Sequence, residues 1–215
     1  MELGFSYQKQ KYSDGPLNIE NNNLYLGSTL LRYGLTSKIE LRFGGEYFSG
    51  QNFVNDIKST MQGTQNILFG TKINLRNDKK ILTNIAILVQ SIIPFGHENL
   101  RPNHFVPEAR LCLAQEITDK VSLGINIGTE EEQQNGKYFY IYTAVVGFVL
   151  DERLSSFIEI YGNLRNGFIP SNNFDCGLTY LEAKNIQIDF SVGTTLMNNF
   201  SDWFGGLGVS VRLPK

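Results

Sequence analysis

Apolar and polar residues alternate with a period of two along most of the chain. In residues 39–48, Ile, Leu, Phe and Tyr occupy odd positions, while Glu, Arg and Gly occupy most of the even ones. The same alternation recurs in residues 63–75, 105–117, 186–196 and 203–213. A period of two is typical of β-strands whose two faces meet different surroundings. The sequence therefore predicts an all-β protein.

Turns of two kinds separate these segments. Short polar turns are predicted at 35–38, 76–80, 118–120, 151–153 and 183–185. Longer stretches rich in Asn, Gly, Gln and Ser predict looser loops at 10–22, 50–62, 96–104, 130–136, 165–172 and 197–202. Five turns alternating with six loops predict about 12 strands in one domain spanning residues 1–215. An even number of strands places both chain termini on the side of the short turns.

Two architectures produce this alternation. A soluble sandwich points its apolar faces inward, whereas a transmembrane barrel points them at lipid and its polar faces at the lumen. The polar faces here are rich in Gly, Ser and Asn, and strands of about 10 to 13 residues match a tilted membrane crossing. Aromatic residues gather at strand ends beside the long loops, as in an interfacial girdle: Tyr47, Phe48, Phe95, Phe105, Tyr138, Phe139, Phe174 and Trp203. We therefore predict an antiparallel up-and-down transmembrane β-barrel with short periplasmic turns and longer extracellular loops, with the soluble sandwich as the weaker alternative.

Composition excludes several functional classes. The chain has 19 Lys and Arg against 21 Asp and Glu, so it lacks the basic surface that nucleic-acid binding requires. Its two cysteines rule out a four-cysteine zinc module, and its two histidines leave little material for a His-rich metal centre, so we expect no metal and no cofactor. No apolar run is long enough for a membrane-spanning helix. No signal peptide is visible, so either a leader has been removed or the chain stays in the cytosol.

Several segments resemble the outer-membrane transporter family named for the meta-pathway of phenol degradation. The matching segments, in chain order, are LLRYGLTSKIELR at 30–42, FGTK at 69–72, SLG at 122–124, FIEIYG at 157–162, DCGLTY at 175–180 and GLGVS at 206–210. The resemblance implies an outer-membrane β-barrel of a Gram-negative bacterium. It also implies a channel or transporter for small solutes, including aromatic or hydrophobic compounds.

The polar strand faces carry the candidate functional residues. Projected into a barrel, they place these charged side chains along the lumen as a solute path: Arg32, Glu40, Arg42, Glu46, Lys72, Glu108, Arg110, Glu116, Glu159, Asp175, Asp189 and Arg212. Charges inside a low-dielectric wall must be paired or hydrated. They either select solutes in an open lumen or form a salt-bridged plug. Arg42 and Arg110 are the expected determinants, because each lies mid-strand with acidic residues two positions away.

The sequence shows no catalytic signature. His97 and His104 fall in or beside the predicted loop 96–104, away from any strand-borne serine, so no catalytic residue is predicted. A second hypothesis is a non-conducting barrel that binds a protein partner through loops 50–62 and 96–104. The first of these loops contains the apolar residues Phe53, Val54 and Ile57. The expected partners are thus membrane lipid, a small-molecule solute and, on the second hypothesis, a protein.

The two cysteines test the predicted strand faces. Cys112 falls on the predicted lumen face and Cys176 on the lipid face. Because opposite faces of a barrel wall cannot be bridged by a disulfide, we expect both thiols to be free.

Overall fold

A computed structural model describes residues 1–76, 84–133, 136–167, 170–196 and 200–213. Within these ranges the chain forms a closed barrel of twelve antiparallel strands: β1 (Glu2–Asp14), β2 (Leu17–Gly34), β3 (Ile39–Val54), β4 (Ile57–Arg76), β5 (Asn84–Ile92), β6 (Val106–Thr118), β7 (Val121–Glu131), β8 (Tyr138–Val149), β9 (Leu154–Leu164), β10 (Ser171–Ala183), β11 (Ile186–Thr195) and β12 (Phe200–Val211). Each strand pairs with its neighbours in the chain, and β1 pairs with β12 to close the sheet. The predicted up-and-down barrel is confirmed, and the sandwich alternative is wrong. In the described residues, no helix has the length and apolar character needed to cross a membrane.

The outer surface of the barrel is apolar. Large hydrophobic side chains are exposed on alternate positions of the strands, among them Leu31, Phe43, Phe69, Ile127, Phe190 and Leu207. A continuous exposed apolar band of this kind is unfavourable in water and matches the lipid-facing band of a membrane barrel. The residues between them point inward, so the side-chain alternation read from the sequence separates a lipid face from a lumen face.

Three of the short turns share one side-chain motif. The hydroxyls of Thr36 and Thr118 and the carboxylate of Asp151 each accept hydrogen bonds from the backbone N–H groups two and three residues later, at 2.7–3.2 Å. Such local acceptors satisfy N–H groups that a two- to four-residue turn would otherwise leave unpaired. Of the other two predicted turns, 76–80 lies mostly outside the described residues, and β10 and β11 are joined at Lys184 and Asn185.

Two of the predicted long loops are hairpins instead. Strands β1 and β2 continue to a turn at Gly15 and Pro16, and strands β3 and β4 continue to a turn at Asn55 and Asp56. Both Asn55 and Asp56 have positive φ, at 46° and 70°, as a type I′ hairpin turn requires. The predictions of loops at 10–22 and 50–62 are therefore wrong, because cross-strand pairing extends through these polar stretches. The predicted loop 96–104 does lie in an irregular segment, between Ile92 and Val106.

Candidate functional site in the barrel lumen

The inner wall carries the predicted charged residues. All twelve occupy positions that alternate with the exposed apolar residues of their strands, or, for Arg212, the position directly after β12. Glu116 and Arg212 are exposed at the short-turn end of the barrel, while Glu108 and Asp175 are buried. The same wall also carries three carboxylates outside the predicted set: Glu2, Glu130 and Asp202.

Glu46 lies between two β-bulges. On β2, the bulge at Gly27 (φ 61°) turns Ser28 toward the lumen, and Ser28 Oγ donates to Glu46 Oε2 at 2.6 Å. On β4, the bulge at Asn66 (φ 53°) places two neighbouring amides within reach of Glu46 Oε1: Gln65 Nε2 at 3.0 Å and Asn66 Nδ2 at 2.8 Å. Bulges redirect side chains in this way at the cost of one unpaired residue. The three donors to the Glu46 carboxylate are therefore neutral. None of them compensates its negative charge.

Arg110 is fixed against the wall. Its aliphatic stem lies over Gly128, where a Cβ would come within 2.9 Å of Arg110 Cγ. Its Nε donates to Glu108 Oε1, and Glu108 Oε2 accepts a hydrogen bond from Gln90 Nε2 at 3.1 Å. This network joins β5 to β6 and orients the charge-assisted pair that Arg110 forms with Glu108.

Arg42 is held less tightly than Arg110. Its Nε lies 3.8 Å from Glu40 Oε1, and neither atom has a hydrogen-bond partner among the described residues, although both are buried. Arg32 pairs with Glu2 at a more exposed position. The two arginines chosen from the sequence therefore sit in different environments, since Arg110 is hydrogen-bonded and Arg42 has a loose ion pair.

A cavity of about 470 Å³ opens on the inner wall where strands β1–β4 meet β11 and β12. Its lining combines carboxylates with apolar side chains: Glu2, Ser28, Leu30, Glu46, Leu68 and Asp189. The volume falls within the range of small-molecule sites. Leu30 and Leu68 meet over Gly44, whose missing side chain leaves room for both.

The apolar part of this lining continues around the lumen. Leu30, Gly44, Leu68, Ile92 and Val106 are successive cross-strand partners on β2 to β6. Side chains that are directly opposite across antiparallel strands are in contact distance on the same face. Val106 is 1% exposed and is the most completely buried large side chain among the described residues. The lumen wall thus has an apolar row flanked by charged positions, a feature that the charge pattern of the sequence does not predict.

The predicted girdle aromatics divide between the two faces. Tyr47, Tyr138 and Trp203 are exposed on the outer face, Phe174 has the outward position opposite Ile160, and Phe95 and Phe105 are exposed in the segment between β5 and β6. Two others differ from the prediction. Phe48 follows the inward alternation of β3, with its ring centre 5.4 Å from that of Tyr25. Phe139 is buried on the inner face, where the Arg165 guanidinium lies 4.5 Å from its ring centre. Both residues are near strand ends, but nearness to a strand end does not determine which face of the barrel a residue occupies.

The histidines lie in the segment between β5 and β6. His104 Nε2 is 2.7 Å from Glu131 Oε1, and His97 N donates to Thr64 O at 2.9 Å. The described part of the chain contains no cluster of three or more His, Cys, Asp or Glu suited to a metal ion. The two cysteines, both described, are free, as expected from their positions on opposite faces.

A closed twelve-stranded barrel with an apolar exterior and a charged interior defines a transmembrane β-barrel protein. The chain belongs to the family described as "Putative MetA-pathway of phenol degradation", whose model matches residues 5–213. The family resemblance inferred from the sequence is confirmed. No curated protein sequence matches the chain.

Solved structures share the barrel at low sequence identity. An outer-membrane channel from Pseudomonas putida F1 is similar with a TM-score of 0.67 at 14% identity, over 98% of this chain and 95% of that one. The KdgM porin in complex with disordered oligogalacturonate gives 0.61 at 12% identity, over 99% and 100%. The toluene transporter TbuX of Ralstonia pickettii gives 0.56 at 9% identity, over 99% and 88%. At these identities the similarity establishes the fold, which is that of outer-membrane barrels.

Proposed function

We propose that the protein is a channel in the outer membrane of a Gram-negative bacterium, and that it passes small solutes, including aromatic and hydrophobic compounds. The observation that carries this proposal is the lumen cavity of about 470 Å³, which combines carboxylates with the apolar pair Leu30 and Leu68. The family and the outer-membrane channels of the same fold support it. A narrow polar lumen with an apolar row suits solutes that have an apolar body and a few polar groups.

The aromatic part of the proposal rests on the row Leu30–Leu68–Ile92–Val106. When an apolar solute covers an apolar surface in a water-filled lumen, the free energy falls by about 25 cal/mol per Å² of apolar surface removed from water. The TbuX barrel, named as a toluene transporter, shows that the same fold serves an aromatic hydrocarbon in another protein. The charged positions on either side of the row keep the remaining path hydrated.

The channel itself is tested by single-channel conductance of the purified protein in a planar bilayer. We expect discrete conductance steps whose ion selectivity shifts toward cations in the Arg42→Ala/Arg110→Ala variant, because two positive charges leave the lumen. Heat-modifiable migration on gels verifies that wild type and variant are folded. A silent bilayer with folded, inserted protein would contradict the channel.

Solute preference is tested separately by swelling of proteoliposomes. Phenyl β-glucoside and methyl β-glucoside share a sugar and differ in the aromatic ring, so their relative rates report on the apolar row. We expect Leu68→Ser to lower the phenyl-to-methyl ratio and Leu35→Ser, an exposed turn residue, to leave it unchanged. Equal rates for the two glucosides in the wild type would remove the aromatic part of the proposal and leave the channel.

A second candidate is a non-conducting barrel that acts through its extracellular face. One observation favours it: residues 57–62 of β4 pair with β3 and, among the described residues, have no strand partner on their other side. Ile57 in this edge is 75% exposed. An exposed strand edge can accept a further strand from a partner. Shortening the β3–β4 hairpin distinguishes the candidates, since solute flux that persists favours the channel and loss of a co-purifying protein favours the partner role.

A further inference from the structure

Glu159 and Asp175 face each other on the inner wall. They are direct cross-strand partners of β9 and β10, on the positions that alternate with the exposed residues Ile158 and Ile160. Asp175 is only 9% exposed, and its Oδ1 has no hydrogen-bond partner among the described residues. Like charges directly opposite on a sheet are destabilising, and a buried carboxylate requires a partner. The pair therefore creates a local demand for positive charge.

The described part of the protein does not supply that charge. Neither Glu159 nor Asp175 forms an ion pair there, and Thr143, which lies near Glu159, carries no charge. Arg110, which acts on Glu159 electrostatically, is itself hydrogen-bonded to Glu108. Carboxylates also outnumber cations along the described inner face of the barrel: Glu2, Glu40, Glu46, Glu108, Glu116, Glu130, Glu159, Asp175, Asp189 and Asp202 against Arg32, Arg42, Lys72, Arg110, Arg165 and Arg212.

Aromatic rings lie against the wall on two sides of Asp175. The ring of Phe157 covers Gly177, two residues further along β10, and the ring of Phe204 covers Gly193, the partner of Asp175 on β11. A Cβ at either glycine would overlap the ring, so the two glycines are what allow the rings to lie this close to the backbone. The result is a carboxylate set between two aromatic rings.

A third ring borders the same patch from β9. Tyr161 is two residues after Glu159 and so shares its inward face, and its cross-strand partners are Thr143 and Asn173. Aromatic rings attract cations through the negative charge on their faces. Carboxylates combined with aromatic rings are the chemistry that recognises alkylammonium groups. A divalent metal, by contrast, prefers six or more oxygen ligands, and the described residues gather no group of three ligands here.

We propose that Glu159, Asp175, Phe157, Tyr161 and Phe204 form a binding site for a small organic cation, such as an alkylammonium compound, on the lumen wall. The two carboxylates supply the charge and the rings supply an apolar, cation-attracting surface. This inference deepens the proposed channel function, on which it rests for the solute's entry into the lumen, and it assigns that channel a cationic class of solute.

Equilibrium binding to the purified barrel in a maltoside detergent tests the site without requiring flux. The probes are choline and its uncharged isostere 3,3-dimethyl-1-butanol, which have the same shape and differ in charge. Saturation-transfer NMR titrations give both affinities. We expect choline to bind at least about tenfold more tightly than the alcohol, because the site's selectivity comes from charge and cation–π attraction.

Matched variants locate the binding. Asp175→Asn removes a charge with little change in shape and is expected to weaken choline binding by about tenfold or more. Phe204→Leu keeps an apolar side chain without the ring and is expected to weaken it by about fivefold. Glu159→Gln is the second charge variant and supplies the test if Asp175→Asn does not fold. Glu152→Gln removes a charge from an exposed short turn and is expected to leave binding unchanged.

Three results would overturn the site: equal binding of choline and the alcohol, full binding in a folded Asp175→Asn or Glu159→Gln variant, or displacement of choline by equimolar NaCl or CaCl₂. The last result would assign the pair to an inorganic cation instead. A silent bilayer would contradict the channel and leave this binding result as it stands, so failure of the site and failure of the channel are distinguishable.

Discussion

The side-chain amide of Asn66 donates to Glu46 Oε1 at 2.8 Å, from a backbone with a φ of 53°. The hydrogen bond and the positive φ of Asn66 have the same cause. The bulge on β4 inserts a residue opposite β3, and the left-handed backbone at that residue turns its side chain into the lumen beside Gln65. Asn is one of the few non-glycine residues that adopts this conformation readily. Asn66 therefore adopts the backbone conformation of the bulge and also donates a hydrogen bond to the Glu46 carboxylate.

Substitutions at Asn66 are expected to separate these two roles. Asn66→Ala loses the hydrogen bond and is strained by the positive φ, so we expect a loss of about 2 kcal/mol in the free energy of unfolding. Asn66→Gly loses only the hydrogen bond and is expected to lose about 1 kcal/mol. Urea titration of the folded barrel in lipid vesicles measures both values. Equal losses in the two variants would show that the backbone conformation contributes nothing.

The β1–β2 hairpin carries a charged cluster above the apolar band. The Glu20 carboxylate forms ion pairs with Lys9 Nζ and Lys11 Nζ at 2.8 Å each. It also accepts a hydrogen bond from Asn22 Nδ2 at 3.0 Å. The hydrogen bonds from Lys11, Lys9 and Asn22 lower the pKa of Glu20 from 4.5 to about 2. Because the folded-state pKa is depressed, the stabilisation is complete above pH 4.5 and disappears as the pH falls toward 2.

We therefore expect the hairpin to keep its contacts at pH 4, where an isolated glutamate is largely protonated. The carbon chemical shift of the Glu20 carboxyl, followed by NMR from pH 7 to 2, measures its pKa directly. Lys11→Met removes the hydrogen bond that contributes most to the lowered pKa of Glu20, and is expected to raise that pKa toward 4.5. A wild-type value at or above 4 would contradict the ion-pair geometry.

The barrel could be predicted because its signal is local. Strand parity depends only on the period of two, so the outward Phe43 and Leu207 and the inward Arg42 and Asp189 can each be assigned from sequence neighbours. The hairpins at Asn55 and Gly15 could not be predicted, because the polar residues that extend these strands beyond the membrane have the same composition as loops. Only the pairing across the hairpin, a nonlocal property, distinguishes the two cases.

The lumen was predicted less completely for the same reason. Glu130 and Asp202 fall in the predicted loops 130–136 and 197–202, where no inward alternation is expected. The girdle prediction for Phe48 and Phe139 depends on their nearness to strand ends and not on strand parity. The bulges at Gly27 and Asn66 shift the strand register, and no pattern in the sequence predicts them. The apolar row from Leu30 to Val106 depends on the register of five strands, and each register follows from pairing rather than from one segment.

The Asn55–Asp56 turn offers a test of the β3–β4 hairpin. Asn-Gly is the favoured pair for a type I′ turn, because glycine adopts the second positive φ without strain. Asp56→Gly is therefore expected to stabilise the hairpin by about 0.5 kcal/mol, and Asp56→Val to destabilise it by about 1 kcal/mol or more. Amide hydrogen exchange at Phe53 and Lys58, which pair across the hairpin, reports the change. Slower exchange in Asp56→Val than in the wild type would contradict the turn.

The two cysteines give the lumen an independent probe. Cys112 lies on the inner wall between Ala86 and Asn126, and Cys176 lies on the outer face opposite Ile158. In proteoliposomes, a charged methanethiosulfonate reagent can reach a thiol in a hydrated lumen but not one in lipid, where the thiolate is also suppressed. We expect Cys112 in the Cys176→Ser variant to react at least about tenfold faster than Cys176 in the Cys112→Ser variant. When each rate is divided by that reagent's rate with a free thiol in solution, a trimethylammonium reagent should also outpace a sulfonate reagent at Cys112, because the carboxylate-rich wall concentrates cations. Equally slow labelling of the two cysteines would mean that the lumen is closed to solutes of this size, and equally fast labelling would contradict the position of Cys176 in lipid. Faster labelling by the sulfonate would contradict the acidic character of the inner wall.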